Sequence, residues 1–488
     1  MAVTERFVGQ PVLRKEDAPL LQGQGSFVDN MSIAGMVHMA IVRSPFAHAR
    51  VVKVDVSKAL EMPGVIAAWS ATDLTDEWAG PLPMVWPITE DIKTSDHWPL
   101  TKDKARFQGD GVAVVLGESR GLADDGAEAV DVEYDALPAV LDIEDAVRDG
   151  APLVHDELGT NAVVHWSHGG GGDQSLFESA PVKLKLRYEA PRTTPSAIEP
   201  RGALASPVPS LGEFTLWTST QIPHIARVTL SGTTGIPEHK LRIVAPDVGG
   251  SFGGKLDVYA EEALCLALAR KTGRPVKWIE SRSENYSVTI HGRGVIHDIE
   301  VAATEGGKIL GFHVTELCDM GAYFQLLTPG IPELGGWVYM GPYDTQAYWY
   351  EFTGIMTNMT PTDAVRGAGR PEATYVLERA VDALARHLEM DPAEVRRINF
   401  VPKFTEDRPS LMGLNVDSGD YLPAFERALE LAEYDQYRKE QASRRENGDI
   451  KQIGIGLSSY IEMCGLAPSN ILGALRYAAG GWDAAQVR

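Results

Sequence analysis

The chain has 488 residues, 44% apolar and 23% charged, as expected for a folded protein of about three domains rather than a disordered or fibrous chain. Its 45 Lys and Arg against 67 Asp and Glu leave a net charge of −22, a surface that repels nucleic acid and anionic membrane. No apolar run reaches bilayer length, the opening MAVTERFVGQ lacks a signal-peptide core, and Cys265, Cys318 and Cys464 are too scattered for a disulfide framework, so a cytoplasmic, reducing location is expected.

In chain order, the first segment reads as mixed α/β. Short strands are expected at 36–43, 51–56, 65–69 and 112–116, then a helix at 121–129 and a strand at 130–134. Residues 81–99, rich in Pro and Trp, read as an irregular excursion. The stretch 151–174 breaks the pattern and ends in four glycines, as a linker would. Beyond it, strands are expected at 182–188, 214–218 and 241–245, and a buried helix at 257–269 stopped by Gly273 and Pro275. The clearest helix is 371–388, with Pro371 at its start and Ala373, Val376, Leu377, Ala380, Val381, Leu384 and Leu388 at helical spacing. Asp391 and Pro392 begin a shorter helix. A single long helix at 421–442, a strand at 453–461 and a strand and turn at 475–482 complete the reading. The fold class is α/β (α+β), and the last 80 or so residues read as part of a domain that is incomplete here.

Glycine makes up 48 residues and clusters at 169–172, 249–254, 367–369 and 480–481. The sharpest pattern is LRIVAPDVGGSFGGKLDVYAEEALCLAL at 241–268: strand, glycine loop, lysine, helix. Gly249 and Gly254-Lys255 stand at P-loop spacing, yet Leu256 occupies the place where a hydroxyl must ligate magnesium, so an NTPase is a remote alternative. Two readings remain: a turn for close packing, and a nest of backbone amides at a helix N-terminus cradling an anionic cofactor. TSTQIPHIAR at 218–227 places a Gln at a strand end, and Glu199-Pro-Arg-Gly202 reads as a turn with an ion pair. TNMTPTDAVRGAGR at 357–370 sets two arginines and two glycines ahead of the long helix, a second place for a phosphate-like group. His165, His168, His224 and His291 have no metal-ligand spacing, and no nucleophile elbow is present. The residues thus describe a large α/β cofactor binder.

The same residues resemble the molybdenum-binding large subunits of the molybdenum hydroxylases, the xanthine dehydrogenase, aldehyde oxidase and aerobic carbon monoxide dehydrogenase group. Gly23-Gln-Gly-Ser-Phe-Val-Asp29 with Arg43-Ser-Pro-Phe-Ala-His-Ala-Arg50 is similar to the family's N-terminal hammerhead-type domain. Glu199–Gly202, Thr218–Gln221, Gly249–Lys255 and Arg366–Arg370 match its cofactor motifs in order. The resemblance implies a hammerhead-type domain at 16–150, a linker at 151–174, the first part of a molybdopterin-binding domain at 175–404, and the truncated start of a second at 405–488. It implies a molybdenum–molybdopterin cytosine dinucleotide, with no side chain ligating the metal directly. Gln221 and the backbone at Phe252 and Gly253 would face its oxo ligands, Arg366 would contact the molybdopterin, and Gly250 and Gly367 would belong to the same cofactor-binding set. The family's base, a glutamate nearer the C-terminus, is expected beyond Arg488, so the chain alone is expected to be inactive.

Departures from the family pattern bear on substrate. Copper-type carbon monoxide dehydrogenases have a cysteine directly after the matching arginine, where this chain has Gly367, as in the form II relatives. Purine oxidisers have a glutamate at the position of Leu256 and an aromatic at that of Ala368, so these two residues would line a pocket for an aldehyde or another N-heterocycle. Water would supply the oxygen, and electrons would leave to partner subunits, since this chain has no cysteine cluster and no FAD fingerprint. The resemblance implies a 2Fe–2S small subunit and an FAD medium subunit in a dimer of heterotrimers. Two alternatives stay open: a carbon monoxide dehydrogenase large chain in name, and a catalytically incomplete scaffold lacking the base.

Overall fold

The computed structural model describes residues 8–172, 175–463, 465 and 469–478. The strands of the first part are β1 (Val37–Arg43), β2 (Ala49–Asp55), β3 (Val65–Ser70), β4 (Lys104–Ala105), β5 (Gly111–Gly117) and β6 (Asp131–Ala136). Those of the second are β7 (Ala162–Gly171), β8 (Val182–Ala190), β9 (Gly202–Val208), β10 (Glu213–Thr218), β11 (Leu241–Val244), β12 (Val276–Ile279), β13 (Val295–Ala303), β14 (Ile309–Gly321) and β15 (Ala347–Met356).

Two large sheets organise the chain. One runs β11-β10-β9-β12-β1-β5-β3, and the other β7-β15-β14-β13-β8; a small sheet, β4-β2-β6, stands beside them. The seven-stranded sheet draws on both halves of the sequence, because β1 pairs in parallel with β12 through Val37 and Val276. β5 is an almost unbroken apolar run, and Val112 to Leu116 are fully buried between β1 and β3. The helix Ala260–Thr272 covers this sheet, and its buried Ala263, Leu264, Leu266 and Leu268 form one core with Val37, Val114, Leu216 and Trp278. The helix Arg370–His387 lays Ala373, Val376, Leu377, Ala380 and Leu384 into the larger core of the five-stranded sheet. Residues 81–99 are irregular as expected but not peripheral. Trp86 is buried in the larger core, and the His97 ring stacks on Tyr323 with centroids 4.1 Å apart.

Several expectations are corrected. Part of the expected linker, Ala162–Gly171, is the edge strand β7, antiparallel to β15, with Gly169 and Gly170 opposite Trp349 and Tyr348. The single helix expected at 421–442 is two, Tyr421–Leu431 and Tyr434–Glu446, broken where Glu433 takes a left-handed conformation (φ 50°). Residues 453–461 pair with no strand. A short helix, Ser469–Ala474, and a turn precede Ala478, so the strand expected from 475 is absent up to there. The rest of that expectation, Gly480–Gly481 and Cys464 lie outside the described residues. Cys265 and Cys318 are free and buried. Among the described residues, no helix is long and apolar enough to cross a membrane.

Candidate functional site

β10 and β11 are parallel neighbours, so the segments that follow them leave the sheet at the same edge. β10 ends in buried Thr218 and is followed by two more buried hydroxyl residues, Ser219 and Thr220, and then exposed Gln221, ahead of the helix Pro223–Thr234. After β11 comes the glycine loop. It is tied to Gln221 at its middle and its far end: the Ser251 hydroxyl donates to Gln221 Oε1, and the Gln221 N–H donates to Lys255 O at 3.0 Å. That hydroxyl also accepts from the Lys255 N–H at 3.2 Å. With Oε1 so engaged, the Gln221 amide presents its N–H₂ outward as a donor.

Arg366 arrives from the other side, where its N–H donates to Phe252 O at 2.8 Å. The contact is close because a Cβ on Gly253 would stand 1.8 Å from Ala364 O, at a φ of 104° that side chains rarely adopt. Phe252 itself holds φ 56°, an uncommon conformation for a non-glycine residue, and its ring is 44% exposed. The N–H groups of Gly250, Phe252 and Gly253 donate to no described residue. The Arg366 guanidinium is exposed and makes no hydrogen bond or ion pair with a described residue. Gln221, Gly250, Phe252, Gly253 and Arg366 thus come together on one surface. Gly367 follows at φ 105°, Ala368 is half-buried against the larger core at φ 49°, and Gly369 begins the long helix. Leu256 lies at the far end of the glycine loop, half-buried, with its N–H on Gly253 O at 2.8 Å.

Two sequence readings change here. The glycine loop does not open a helix: the helix starts at Ala260, and its N-terminal turn is occupied by its own carboxylates. Glu262 accepts from the Tyr259 N–H at 3.0 Å, while Glu261 is bound by Arg43 and Arg201. Lys255 is equally committed. It is 3% exposed and pairs with Glu199 at 2.8 Å, and Glu199 also accepts from the Gly249 N–H at 2.6 Å. Burial pulls the Lys255 ammonium below the ordinary lysine range, which the Glu199 carboxylate offsets only in part. A phosphate-gripping P-loop lysine it is not. The ion pair expected within Glu199–Gly202 exists, but across the fold: Glu199 with Lys255, and Arg201 with Glu261 and Glu280. Ser251, the hydroxyl that joins Gln221 to the loop, and Arg293, which bonds the Val365 and Arg366 carbonyls, were not singled out from sequence. Only a hydroxyl inside a glycine run could have signalled the first.

The donor set tests what the surface can hold. Amide N–H groups and a guanidinium without a partner among the described residues, with the Gln221 carboxamide, are all donors, and the nearby Glu199 carboxylate is paired with Lys255, which fits an oxygen-rich anion. No group of three His, Cys, Asp or Glu among the described residues is placed to hold a metal ion itself. A molybdopterin, which brings its own metal ligands and oxo-anionic groups, fits both facts.

Residues 154–400 match the family described as the molybdopterin cofactor-binding domain. The chain belongs to the molybdenum hydroxylase large subunits. Residues 22–138 match a second family, the aldehyde oxidase and xanthine dehydrogenase a/b hammerhead domain, so this hydroxylase subunit has the mixed α/β architecture expected from sequence. The carbon monoxide dehydrogenase large chain of Hydrogenophaga pseudoflava is 37% identical, covering 97% of this chain and 60% of its own. The nicotinate dehydrogenase large molybdopterin subunit of Eubacterium barkeri is 30% identical, covering 80% of this chain and 89% of its own. The crystal structure of quinoline 2-oxidoreductase from Pseudomonas putida 86 superposes with a TM-score of 0.90 at 34% identity, covering 96% of this chain and 59% of that one. This hydroxylase subunit spans about 60% of the length of the first curated relatives it matches, which are large chains of multi-subunit enzymes.

Proposed function

We propose that the chain grips a molybdenum–molybdopterin cytosine dinucleotide in a hydroxylase that oxidises an N-heterocycle or an aldehyde, with water as oxygen source. The supporting observation is the convergence on one surface of Gln221 with the amides of Gly250, Phe252 and Gly253 and the Arg366 guanidinium, which pair with no described residue. When bound, the cofactor supplies the oxidation chemistry. The chain's own residues orient it. The Gln221 carboxamide and the loop amides donate to oxygen atoms on the group, and the Arg366 fork holds its anionic part. Every side chain assigned here is a donor or a spacer, so the reading gives this chain grip and orientation rather than proton abstraction. The base stays assigned to a glutamate outside this sequence, and a hammerhead-type domain at 16–150 ahead of molybdopterin-binding segments at 175–404 and 405–488 is proposed with it. Electrons leave to a 2Fe–2S small subunit and an FAD medium subunit, in a dimer of heterotrimers located in the cytoplasm.

Gly367 bears on substrate. A Cβ there would stand 2.2 Å from Pro371 Cγ at φ 105°, so the position resists a cysteine and any copper thiolate built on it. Leu256 and Ala368 are assigned to the substrate side as residues that offer neither a carboxylate nor an aromatic ring, and two of the three compared proteins are named for N-heterocycles. The name of the Hydrogenophaga relative keeps carbon monoxide as the second reading.

The test is substitution in the complex purified from its own host. Arg366→Ala is expected to lower molybdenum per chain at least threefold. Gln221→Ala is expected to keep the metal but cut dye reduction by a panel of N-heterocycles and aldehydes about 100-fold, the usual cost of one lost oxyanion donor. Wild-type metal content and turnover in both variants would refute the site.

A further inference from the structure

The Arg366 loop is held by a segment that no cofactor motif includes. Residues 291–294 run beside 361–363: the His291 N–H donates to Pro361 O at 3.0 Å, and the Asp363 N–H donates to His291 O at 2.9 Å. On its other side the segment exchanges two bonds with Thr193, at 2.8 and 3.0 Å through Gly292. A Cβ on Gly292 would lie 2.5 Å from Val365 Cγ2, so the strap is pressed directly against the residue before Arg366. Arg293 itself sits at φ 64°, a left-handed conformation that is uncommon for a side-chain-bearing residue and persists only where the surroundings enforce it.

That conformation places the guanidinium under the loop. Arg293 Nη1 donates to Val365 O at 3.2 Å, and Nη2 donates to Arg366 O at 3.1 Å. The fork is anchored from behind by Glu372, in the first turn of the long helix, with Nη1 and Oε1 3.4 Å apart. Both side chains are largely buried, 15% and 6% exposed. One planar cation therefore joins two consecutive carbonyls to a carboxylate on the helix that the loop leads into. The carbonyl of Arg366 is fixed from below by Arg293 while its N–H is fixed from the side by Phe252 O. With both ends of the residue pinned, the main chain from which its guanidinium projects is held in place.

We propose that Arg293 is a positioning residue for the cofactor surface: its guanidinium clamps the main chain of Val365 and Arg366 against Glu372 so that the Arg366 side chain is presented ready-ordered to the bound anion. The proposal rests on the cofactor reading above for its ligand, but the clamp itself concerns this chain alone. Ordering the loop in advance removes a conformational cost from binding. A lysine keeps the charge facing Glu372 but lacks the planar fork, so it restores the clamp only in part.

The experiment uses the full complex from its host, with Arg293→Ala, Arg293→Lys and, as a control away from the loop, Arg187→Ala. Limited trypsin digestion, compared between fractions of equal molybdenum content, reads the clamp separately from cofactor occupancy. Arg366 is exposed and followed by Gly367, and the next arginine, Arg370, precedes Pro371, so cleavage after Arg366 is a discrete signal. Arg293→Ala is expected to speed that cleavage at least tenfold relative to cleavage at other sites, and to lower molybdenum per chain at least threefold. Arg293→Lys is expected to fall between, and it decides the matter should the alanine variant fail to fold. Unchanged cleavage after Arg366, or faster cleavage at all sites alike with a lower melting temperature, would overturn the proposal. Wild-type protein without molybdenum would defeat the cofactor reading instead, and the cleavage pattern would still decide the clamp.

Discussion

A Gly253→Ala chain is expected to lose the cofactor surface and about 3 kcal/mol of stability. The added Cβ would lie 1.8 Å from Ala364 O, 2.8 Å from Ala364 C and 3.0 Å from Val365 Cα. All three are backbone atoms, so no flexible side chain can move aside. The residue must also hold φ 104°, where an L-residue pays roughly 1–2 kcal/mol, and overpacking at a rigid contact adds about 1–3. The strain is relieved by parting the two loops. That breaks the bond from the Arg366 N–H to Phe252 O and leaves the donors pointing at no common ligand. A control with the same chemistry is Gly306→Ala, where the nearest atom to the new Cβ is Thr304 Oγ1 at 3.9 Å. Denaturant midpoints and molybdenum per chain should fall for Gly253→Ala and stay level for Gly306→Ala. Equal behaviour of the two variants would show that the loops do not need to touch.

The second large effect is expected beneath the site. Arg201 is buried and carries two carboxylates, with Nη1 2.9 Å from Glu261 and Nη2 2.7 Å from Glu280. Its Nε also donates to Thr289 at 2.8 Å, and the guanidinium lies 3.8 Å from the centre of the Tyr259 ring. Arg201→Met strands buried negative charge, and the expected loss is about 3–5 kcal/mol. Arg201→Lys should recover little, because one ammonium cannot serve both carboxylates and Thr289 in this geometry. The same network sets a pH dependence. Burial by itself would raise the Glu261 carboxyl, but the guanidiniums of Arg201 and Arg43 outweigh it and hold the value at about 2. A carboxyl depressed in the folded state stabilises fully above its unfolded value, near 4.5, and that stability drains away as pH falls toward 2. Unfolding free energy of the wild type should therefore slope downward over that window, and Glu261→Gln should flatten the slope. A slope unchanged by Glu261→Gln would remove the two arginines as the cause.

Part of this was legible in the amino-acid sequence. The strands β1, β3, β5, β10 and β11 are apolar runs between turn residues, and the helix Arg370–His387 carries its periodic stripe openly. What failed was reading polar residues that the fold buries. β13, β14 and β15 went unnoticed because charged side chains interrupt their pattern. In the structure, His297 on β13 and Glu316 on β14 face each other at 2.8 Å inside the core, and Tyr350 on β15 donates to Glu316 at 2.6 Å. Arg396 is wholly buried for a similar reason, with Glu378 and Asp382 each 2.9 Å away. β7 was hidden by its glycines, which look like a linker in one dimension and sit across from two aromatic residues in three. The site divides in the same way. Gln221, the glycine loop and Arg366 announce themselves by glycine spacing and donor type. The strap that holds Arg366 does not, because Arg293 acts through main-chain carbonyls that no motif records.

The most direct test of the whole account is elemental analysis of molybdenum per chain, in the complex purified from its own host. Near-stoichiometric molybdenum, lost on Arg366→Ala, is the predicted result. A folded protein without molybdenum, from a host that makes the cofactor, would contradict the account and leave these converging donors serving some other anion.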